Sequence, residues 1–320
     1  MPEPSLVAPA DILAARQRIA SGIHLTPMLR SSSLGRELGI ELFLKAELFQ
    51  KTGSFKVRGV LNKLSRLDAA EKARGLVTIS AGNHAAAIAW AAAGAGIACT
   101  VVMPAHANPT KVRVTRAYGA EVVLHGDSAQ AFARCAELAE ERGLCFVHPF
   151  DDPDIVAGHA SAGLECVEQV PDLDLVVVPV GGGGLISGIA TAVKHLRPAA
   201  RVVGVEPEGA AALWESRRAG KPVHLDRVDT VADGLAPPMV GDLNFAIAQR
   251  FVDDVVKVTD AQIIDAMRSL MTRCKLVVEP GGAAGFAALQ AGAVKAPAGA
   301  KVVVVVSGGN VDLERLKTLL

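Results

Sequence analysis

The chain alternates short apolar runs with longer segments whose apolar positions have helical spacing. The runs are predicted strands: ELFLKAE at 41–47, VTIS at 77–80, ACTVVM at 98–103, EVVL at 121–124, CFVHP at 145–149, LVVVPV at 175–180, RVVGVE at 201–206, DVVKV at 254–258 and KVVVVV at 301–306. Strands that alternate with helices predict a parallel sheet with helices on its faces. Nearly continuous apolar runs are typical of strands buried on both sides.

The segments between these runs carry helix signals. Helices are predicted at 11–20, 57–66, 153–169, 185–196 and 260–273, and others from Asn83, after Asn108-Pro109, after a cap at Asp127 or Ser128, and after Glu279-Pro280. Residues 219–245 are rich in Gly, Pro and Asp and are predicted to be loops. The segment FDDP at 150–153 is predicted to separate two blocks of an α/β chain.

Composition limits the function classes. The chain has 320 residues with 33 basic and 33 acidic side chains, so we expect no basic face for nucleic acid. Five cysteines without a CxxC pair argue against disulfides and zinc and indicate a reducing cytoplasm. The N-terminus lacks a signal-peptide pattern. The apolar stretch 85–105 is predicted to be an Ala-rich helix, a turn and a strand, not a membrane span, because Gly94 and Gly96 interrupt it.

Loops of small and polar residues follow predicted parallel strands, at the end where ligand crevices form in open α/β sheets. They are Thr52-Gly53-Ser54-Phe55-Lys56, Ser80-Ala81-Gly82-Asn83-His84, Gly181-Gly182-Gly183-Gly184-Leu185 and Ser307-Gly308-Gly309-Asn310. Lys56 lies at a helix start, where a partly desolvated lysine loses proton affinity and can act as a base or form an imine. The alternative for Lys56 alone is a solvated surface lysine.

The tetraglycine at 181–184 opens a predicted helix and leaves backbone N–H groups free to bind a phosphate. It lacks the Lys-Ser/Thr of a P-loop and the spacing of GxGxxG, so a simple tight turn is the alternative. A phosphate site together with an activated lysine indicates a phosphate-bearing aldehyde that forms an imine, namely pyridoxal 5′-phosphate.

The motifs TGSFKVRG, SAGNHA, VPVGGGGLISG, ADG at 232–234, EPGGA and VSGGNVD occur in order between residues 26 and 312. In these motifs and their spacing the chain resembles fold-type II pyridoxal-phosphate enzymes, and most closely their threonine/serine dehydratase and serine racemase branch. The resemblance implies two doubly wound, three-layer αβα domains with the cofactor in the cleft between them. The large domain would comprise 1–65 and 153–320, and the small domain 66–152 with the Asn83 loop.

The resemblance also implies roles for residues of this chain. Lys56 would hold the cofactor as a Schiff base and then remove the Cα proton of the substrate. The other implied cofactor contacts are Phe55 at the ring, Asn83 at the 3′-oxygen, Gly181, Gly182, Gly183, Gly184 and the Leu185 N–H at the phosphate, Gly234 and Glu279 beside the cofactor, and Ser307 at the pyridine nitrogen. The loop that takes the substrate carboxylate would contain Ser80, Ala81, Gly82 and His84.

The implied reaction is β-elimination, which converts threonine to 2-oxobutanoate, or serine to pyruvate, and releases ammonia. Serine racemases carry a serine acid/base where this chain has Ala81, so we expect elimination rather than racemisation. Gly281 stands where relatives often have Ser or Thr, which leaves other 3-hydroxy amino acids open: phenylserine, 3-hydroxyaspartate or a hydroxyectoine-derived substrate. A serine racemase-like enzyme is the further alternative within the family.

A divalent cation is not expected. Glu206 matches one acidic ligand of racemase-like relatives, but Ala212 stands at the second ligand position. A strand-end carboxylate paired with a nearby base is the other interpretation of Glu206. His159, which replaces a common glutamine, is expected to be a helix-start residue without a catalytic role, and His106, His125 and His148 are expected to be structural or on the surface.

The family implies a homodimer that acts on a small hydroxy amino acid in the cytoplasm. A different class, a non-catalytic nucleotide-binding α/β protein, would use the tetraglycine for phosphate. It would leave Lys56, Asn83 and Ser307 without roles. It would also need an acidic residue about 20 positions further on to bind the ribose, where Glu206, followed by Pro207, is the nearest candidate.

Overall fold

The computed structural model describes residues 7–320, which form two β-sheets with helices packed against them. The strands are β1 Met28–Arg30, β2 Glu41–Ala46, β3 Leu76–Ile79, β4 Cys99–Met103, β5 Glu121–Leu124, β6 Cys145–Phe146, β7 Leu175–Pro179, β8 Arg201–Pro207, β9 Asp254–Val258 and β10 Lys301–Val306. The helices are α1 Pro9–Ile19, α2 Ser32–Leu38, α3 Lys56–Arg66, α4 Ala69–Arg74, α5 Asn83–Gly94, α6 Pro109–Ala117, α7 Ser128–Arg142, α8 Pro153–Gln169, α9 Gly184–Leu196, α10 Ala212–Ala219, α11 Asp242–Phe251, α12 Asp260–Cys274, α13 Pro280–Gln290 and α14 Leu313–Leu319. The predicted α/β class is confirmed.

The larger sheet has the order β1-β2-β10-β7-β8-β9, and every neighbouring pair is parallel except β1 with β2. The valines of β10 alternate between two apolar cores. Val302, Val304 and Val306 pack with α12 and α13, while Val303 and Val305 pack with α8, α9 and α11. Because both faces are covered, none of these five valines faces water, which explains the uninterrupted valine run.

The smaller sheet has the order β5-β4-β3-β6 and is entirely parallel. One face packs against α3 and α5, and the other packs against α7. Its strands all fall within 66–152, and those of the larger sheet all fall outside this range. The domain boundaries at 65/66 and 152/153 stay a prediction.

The apolar stretch 85–105 forms most of α5, a turn and β4, as the sequence predicts. Among the described residues, no helix combines the length and apolar character needed to cross a membrane.

The structure corrects two local predictions. The strand predicted at 145–149 is limited to β6, because Nδ1 of His148 accepts hydrogen bonds from the backbone N–H groups of Phe150 and Asp151 and turns the chain. Within 219–245, predicted as loops, α11 already begins at Asp242, where the Asp151 carboxylate accepts the Asp242 N–H. Both corrections depend on contacts that side chains make with backbone groups.

Candidate active site

Lys56 is the first residue of α3 and is partly buried. Its Nζ donates a hydrogen bond of 2.8 Å to the carbonyl oxygen of Pro149 and lies 5.2 Å from the centre of the Phe55 ring. Because burial disfavours the charged amine, the pKa of Lys56 is lowered from 10.5 to about 8. A fraction of the amine is therefore neutral near pH 7, which both imine formation and proton abstraction require.

The turn before Lys56 is bonded to the loop that follows β10. Ser54 forms an antiparallel bridge with Gly308, and the Phe55 N–H donates to the Ser307 carbonyl oxygen at 3.1 Å. Ser307 is buried, with 4% of its surface exposed. The structure therefore brings the predicted partner of the ring nitrogen next to the lysine turn.

Asn83, the first residue of α5, connects the small sheet to the large one. Its Nδ2 donates to Glu279 Oε1 at 2.7 Å, and its Oδ1 accepts from Asn310 Nδ2 at 2.8 Å. The same Asn310 amide donates to the Thr52 carbonyl oxygen at 2.7 Å. Because one end of the Asn83 amide donates and the other accepts, its orientation is determined by its partners.

Glu279 lies against the glycines of two neighbouring loops. A Cβ atom at Gly308 would stand 2.2 Å from Glu279 Oε1, and one at Gly234 would stand 3.9 Å from the same atom. Burial raises the pKa of Glu279 to about 7, although the hydrogen bond from Asn83 and the charge of Lys111 act in the opposite direction. Glu279 and Gly234, both predicted to lie beside the cofactor, thus lie close to each other.

The tetraglycine lies between β7 and the first turn of α9, and two of its residues, Gly182 and Gly183, have no room for a side chain. A Cβ atom at Gly182 would stand 2.4 Å from the Phe150 ring, and one at Gly183 would stand 2.7 Å from Asn244 Cβ. Gly183 also has φ = +94°, the left-handed region that favours glycine. The N-cap residue of α9, Gly183, has no side chain that could cap the helix, so the N–H groups of its first turn are available to an anion.

Two polar side chains of the loop that contains Ser80, Ala81, Gly82 and His84 bond to nearby groups of the small sheet and its loop. Ser80 Oγ accepts the Gly82 N–H at 3.2 Å, and His84 Nε2 lies 3.1 Å from Thr78 Oγ1. His84 is only 2% exposed, and burial lowers its pKa well below 6.5. The predicted substrate loop can therefore offer backbone N–H groups, the Ser80 hydroxyl hydrogen and the Ala81 methyl group, while the His84 ring is almost fully buried.

The sequence did not lead us to predict a buried network of ion pairs that joins α3 to α8 and to the end of β2. The Arg58 guanidinium, fully buried, donates to both oxygens of Glu47 and of Glu165, at 2.7–2.8 Å. Lys45 pairs with the same Glu165 and donates to the Thr26 carbonyl oxygen. Burial alone would raise the pKa of Glu47, but the Arg58 charge holds it below its ordinary value. The sequence feature that could have indicated this network is the presence of two charged residues, Lys45 and Glu47, in the apolar run ELFLKAE.

Glu206 is buried at the end of β8 and caps α10. Its two carboxylate oxygens accept the N–H groups of Leu213 and Trp214, each at 2.8 Å. Its hydrogen bonds thus come from backbone N–H groups at a helix start, while the base opposite it on β9, Lys257, acts on it through its charge. Burial raises the pKa of Glu206 to about 8, although these hydrogen bonds act in the opposite direction. Within residues 7–320, no cluster of three or more His, Cys, Asp or Glu residues is suited to a metal ion.

His159 lies inside α8, not at the start of a helix as predicted. It is fully buried, and its ring contacts the Phe55 ring edge-on with centroids 4.8 Å apart. In the described part of the chain, neither ring nitrogen has a hydrogen-bond partner. Burial lowers its pKa well below 6.5, so the ring that packs against Phe55 is neutral.

Comparisons with known proteins identify the class of protein. A family model described as pyridoxal-phosphate dependent enzyme matches residues 19–308. The catabolic L-threonine dehydratase of Escherichia coli (strain K12) is 43% identical over 98% of this chain and 96% of its own. The L-threo-3-hydroxyaspartate ammonia-lyase of Saccharomyces cerevisiae is 39% identical over 97% of this chain and 95% of its own. The structure of maize serine racemase matches with a TM-score of 0.92 and 39% identity, over 97% of this chain and 95% of that one.

The chain therefore belongs to the family of pyridoxal-phosphate dependent enzymes. Its fold is that of the fold-type II members, as the motifs predicted. The family implies pyridoxal phosphate as the cofactor, and its relatives include ammonia-lyases of amino acids. Relatives named as dehydratase, hydroxyaspartate ammonia-lyase and racemase are nearly equally similar, so similarity alone does not select the substrate.

The residues of this site fit that cofactor. The fit rests on the low pKa of the Lys56 amine, on glycines at 182 and 183 whose Cβ atoms would collide with neighbours, and on the determined orientation of the Asn83 amide. An amine, an anion site and a polar ring partner are the groups that a phosphorylated aldehyde on an aromatic ring needs.

Proposed function

We propose that this chain is an ammonia-lyase that eliminates water from a 3-hydroxy amino acid. The proposed substrates are L-threonine and L-serine, and the products are 2-oxobutanoate or pyruvate together with ammonia. Relatives named as threonine dehydratase and as L-threo-3-hydroxyaspartate ammonia-lyase support this reaction class. As a family member, the chain is also expected to be a homodimer.

Bound pyridoxal phosphate supplies an electron sink for the α-carbon of the substrate. Lys56 would hold the cofactor, and its neutral amine would then take the Cα proton of the substrate, for which a pKa of about 8 is suitable. The first turn of α9 would bind the phosphate, and Asn83 and Phe55 would hold the ring. The Ser307 hydroxyl would face the ring nitrogen, which a hydroxyl does not keep protonated as a carboxylate would. Backbone N–H groups of the 80–84 loop would bind the substrate carboxylate.

The observation that supports elimination over racemisation is the side chain at position 81. Ala81 has no proton to give, and the hydroxyl oxygen of the neighbouring Ser80 is turned towards the Gly82 N–H, whose hydrogen bond it accepts. The His84 ring is almost fully buried. A two-base racemisation needs a second acid that can protonate the face opposite Lys56. An elimination needs only one base and a leaving group.

The test is an oxo-acid release assay with threonine, serine, phenylserine and 3-hydroxyaspartate, combined with chiral analysis of residual serine. We expect threonine and serine to be the best substrates and D-serine to be a trace product. Ala81→Ser should raise the ratio of D-serine to pyruvate by roughly 10-fold or more, because it adds a hydroxyl acid. Ala81→Gly, which adds none, is the matched control. Abundant D-serine from the unaltered protein would refute the role given to Ala81.

The second candidate is a lyase for 3-hydroxyaspartate, which the 39% identical yeast relative favours. In the same assay, a specificity constant higher for 3-hydroxyaspartate than for threonine would select it. Lys56 keeps the same role in both candidates.

A further inference from the structure

His148 lies in a short loop, residues 147–152, between β6 and α8. Its Nδ1 accepts two backbone hydrogen bonds, from the Phe150 N–H at 3.2 Å and from the Asp151 N–H at 2.7 Å. The ring is held between the edges of Phe146 and Phe150, with centroid distances of 5.9 Å and 4.6 Å. One side chain thus sets the backbone conformation of the next three residues.

These hydrogen bonds also determine the protonation state of the ring. A nitrogen that accepts two N–H groups carries a lone pair, so the imidazole is neutral with its proton on Nε2. Burial and the charge of Lys56 lower the pKa of His148, while Asp151 and Asp152 act in the opposite direction. The loop is therefore organised by a neutral acceptor.

This loop contains the hydrogen-bond acceptor of the Lys56 amine. The Pro149 carbonyl oxygen receives the 2.8 Å hydrogen bond from Lys56 Nζ, and within residues 7–320 it is the one hydrogen-bond acceptor of that amine. Pro149 lies between the His148 ring and the two N–H groups that this ring accepts. The direction of its carbonyl therefore depends on the turn that His148 closes.

The same loop also contacts the proposed phosphate site. The Phe150 ring lies against Gly182, and the Phe150 carbonyl oxygen accepts from Asn244 Nδ2 at 3.0 Å. The Asp151 carboxylate accepts N–H groups at the start of α11. The loop is thus attached to α11 and to the tetraglycine, and its Pro149 carbonyl oxygen meets the lysine.

We propose that His148 is a positioning residue, which holds the Pro149 carbonyl oxygen so that the Lys56 amine is kept in place for reaction with the cofactor aldehyde. This inference rests on the proposed role of Lys56. His148 itself touches neither the lysine amine nor a reacting atom. Its effect is therefore expected on the rate of covalent attachment more than on the affinity of the first, non-covalent complex.

The test compares His148→Asn with His148→Gln and His148→Leu in the cofactor-free full-length protein. An asparagine at this position can accept the N–H groups two and three residues later through its Oδ1. The glutamine amide is displaced by one methylene group, and leucine has no acceptor. Stopped-flow mixing with pyridoxal phosphate separates the initial dissociation constant from the first-order step in which the neutral amine adds to the aldehyde and water leaves.

We expect the first-order rate constant to fall by roughly 10-fold or more in the Leu and Gln variants and to stay within about 3-fold in the Asn variant. The initial dissociation constant should change by less than the rate constant in all three. Equal rate constants for the Asn and Gln variants would overturn the proposal, and this pair decides even if the Leu variant does not fold. Borohydride reduction and peptide mapping of the unaltered protein separate the two claims. A label away from Lys56 refutes the proposed function, whereas a label on Lys56 with unchanged rates refutes only the role of His148.

Discussion

The Asn83 amide donates a 2.7 Å hydrogen bond to the carboxylate of Glu279, a residue 196 positions further along the chain. This bond joins the first residue of α5, beside the small sheet, to the loop before α13 on the large sheet. At the other end of the same amide, Asn83 Oδ1 accepts a hydrogen bond from Asn310 Nδ2. The donor proposed for the cofactor ring is thus oriented before any cofactor arrives.

Glu279→Leu should therefore weaken pyridoxal-phosphate binding. It leaves a half-buried Asn83 donor without its partner, which costs about 1–3 kcal/mol and corresponds to a loss in affinity of roughly 5- to 150-fold. Glu279→Gln keeps a carbonyl oxygen that can accept the same hydrogen bond and should stay close to the unaltered protein. Fluorescence titration of the cofactor-free proteins with pyridoxal phosphate measures both. If the Gln variant binds as weakly as the Leu variant, the orienting role of Glu279 is wrong.

Gly182→Ala should disrupt the phosphate site, because its Cβ atom would stand 2.4 Å from the Phe150 ring. Overpacking of this kind costs about 1–3 kcal/mol and should also lower cofactor affinity. The double variant Gly182→Ala/Phe150→Ala removes the collision and should recover part of the affinity. Gly94→Ala is the control, since no atom lies within 4 Å of its Cβ position. Thermal melts and cofactor titrations that gave the same values for Gly182→Ala and Gly94→Ala would contradict this account.

Arg58→Met should destabilise the protein by about 3–5 kcal/mol at pH 7, because it leaves the buried Glu47 and Glu165 carboxylates without their main partner. The pKa of Glu47 is lowered in the folded state, so its stabilising contribution is full above its unfolded value of about 4.5 and is lost as the pH falls through the lower folded value. Arg58→Met removes the cause of that lowering. Without Arg58, burial raises the pKa of Glu47 in the folded variant, so the stability deficit should begin to shrink above pH 4.5 as Glu47 takes up a proton, and should shrink further below that pH.

Urea denaturation at several pH values measures this dependence for Arg58. Arg116→Met, at an exposed position on α6, should be nearly neutral at every pH and serves as the control. A deficit for Arg58→Met that does not change with pH would show that lost packing, not the ion network, is responsible.

Much of the fold was predictable, because buried parallel strands give long apolar runs. The valine run of β10 and the alanine-rich α5 are examples in which local pattern and tertiary burial agree. Short elements such as β1, α2 and α10 were not predicted, because they are too short for a repeated spacing of apolar positions to be recognised. The start of α11 depends on the Asp151 carboxylate, which is distant in the sequence.

The residues proposed for the site were predictable from motifs, but their partners were not. Lys56, Asn83 and the tetraglycine lie in recognisable loops after strands, whereas the Asn83–Glu279 pair and the Lys56–Pro149 hydrogen bond join distant positions. Arg58 sits only two residues beyond Lys56, yet its role depends on Glu165, which lies on another helix. Periodicity and spacing contain no information about such pairings, since they arise from packing of the whole chain.

The central claim is that Lys56 is the residue that bonds to the cofactor, and borohydride reduction of the cofactor-loaded protein tests it most directly. Reduction should remove the visible absorbance and leave a stable pyridoxyl group, which proteolysis and mass spectrometry should locate on Lys56. Lys56→Ala should take up no such label, while Lys51→Ala, altered nearby in the same turn, should be labelled like the unaltered protein. A label on any other lysine, or no label in a protein loaded with pyridoxal phosphate, would contradict the account.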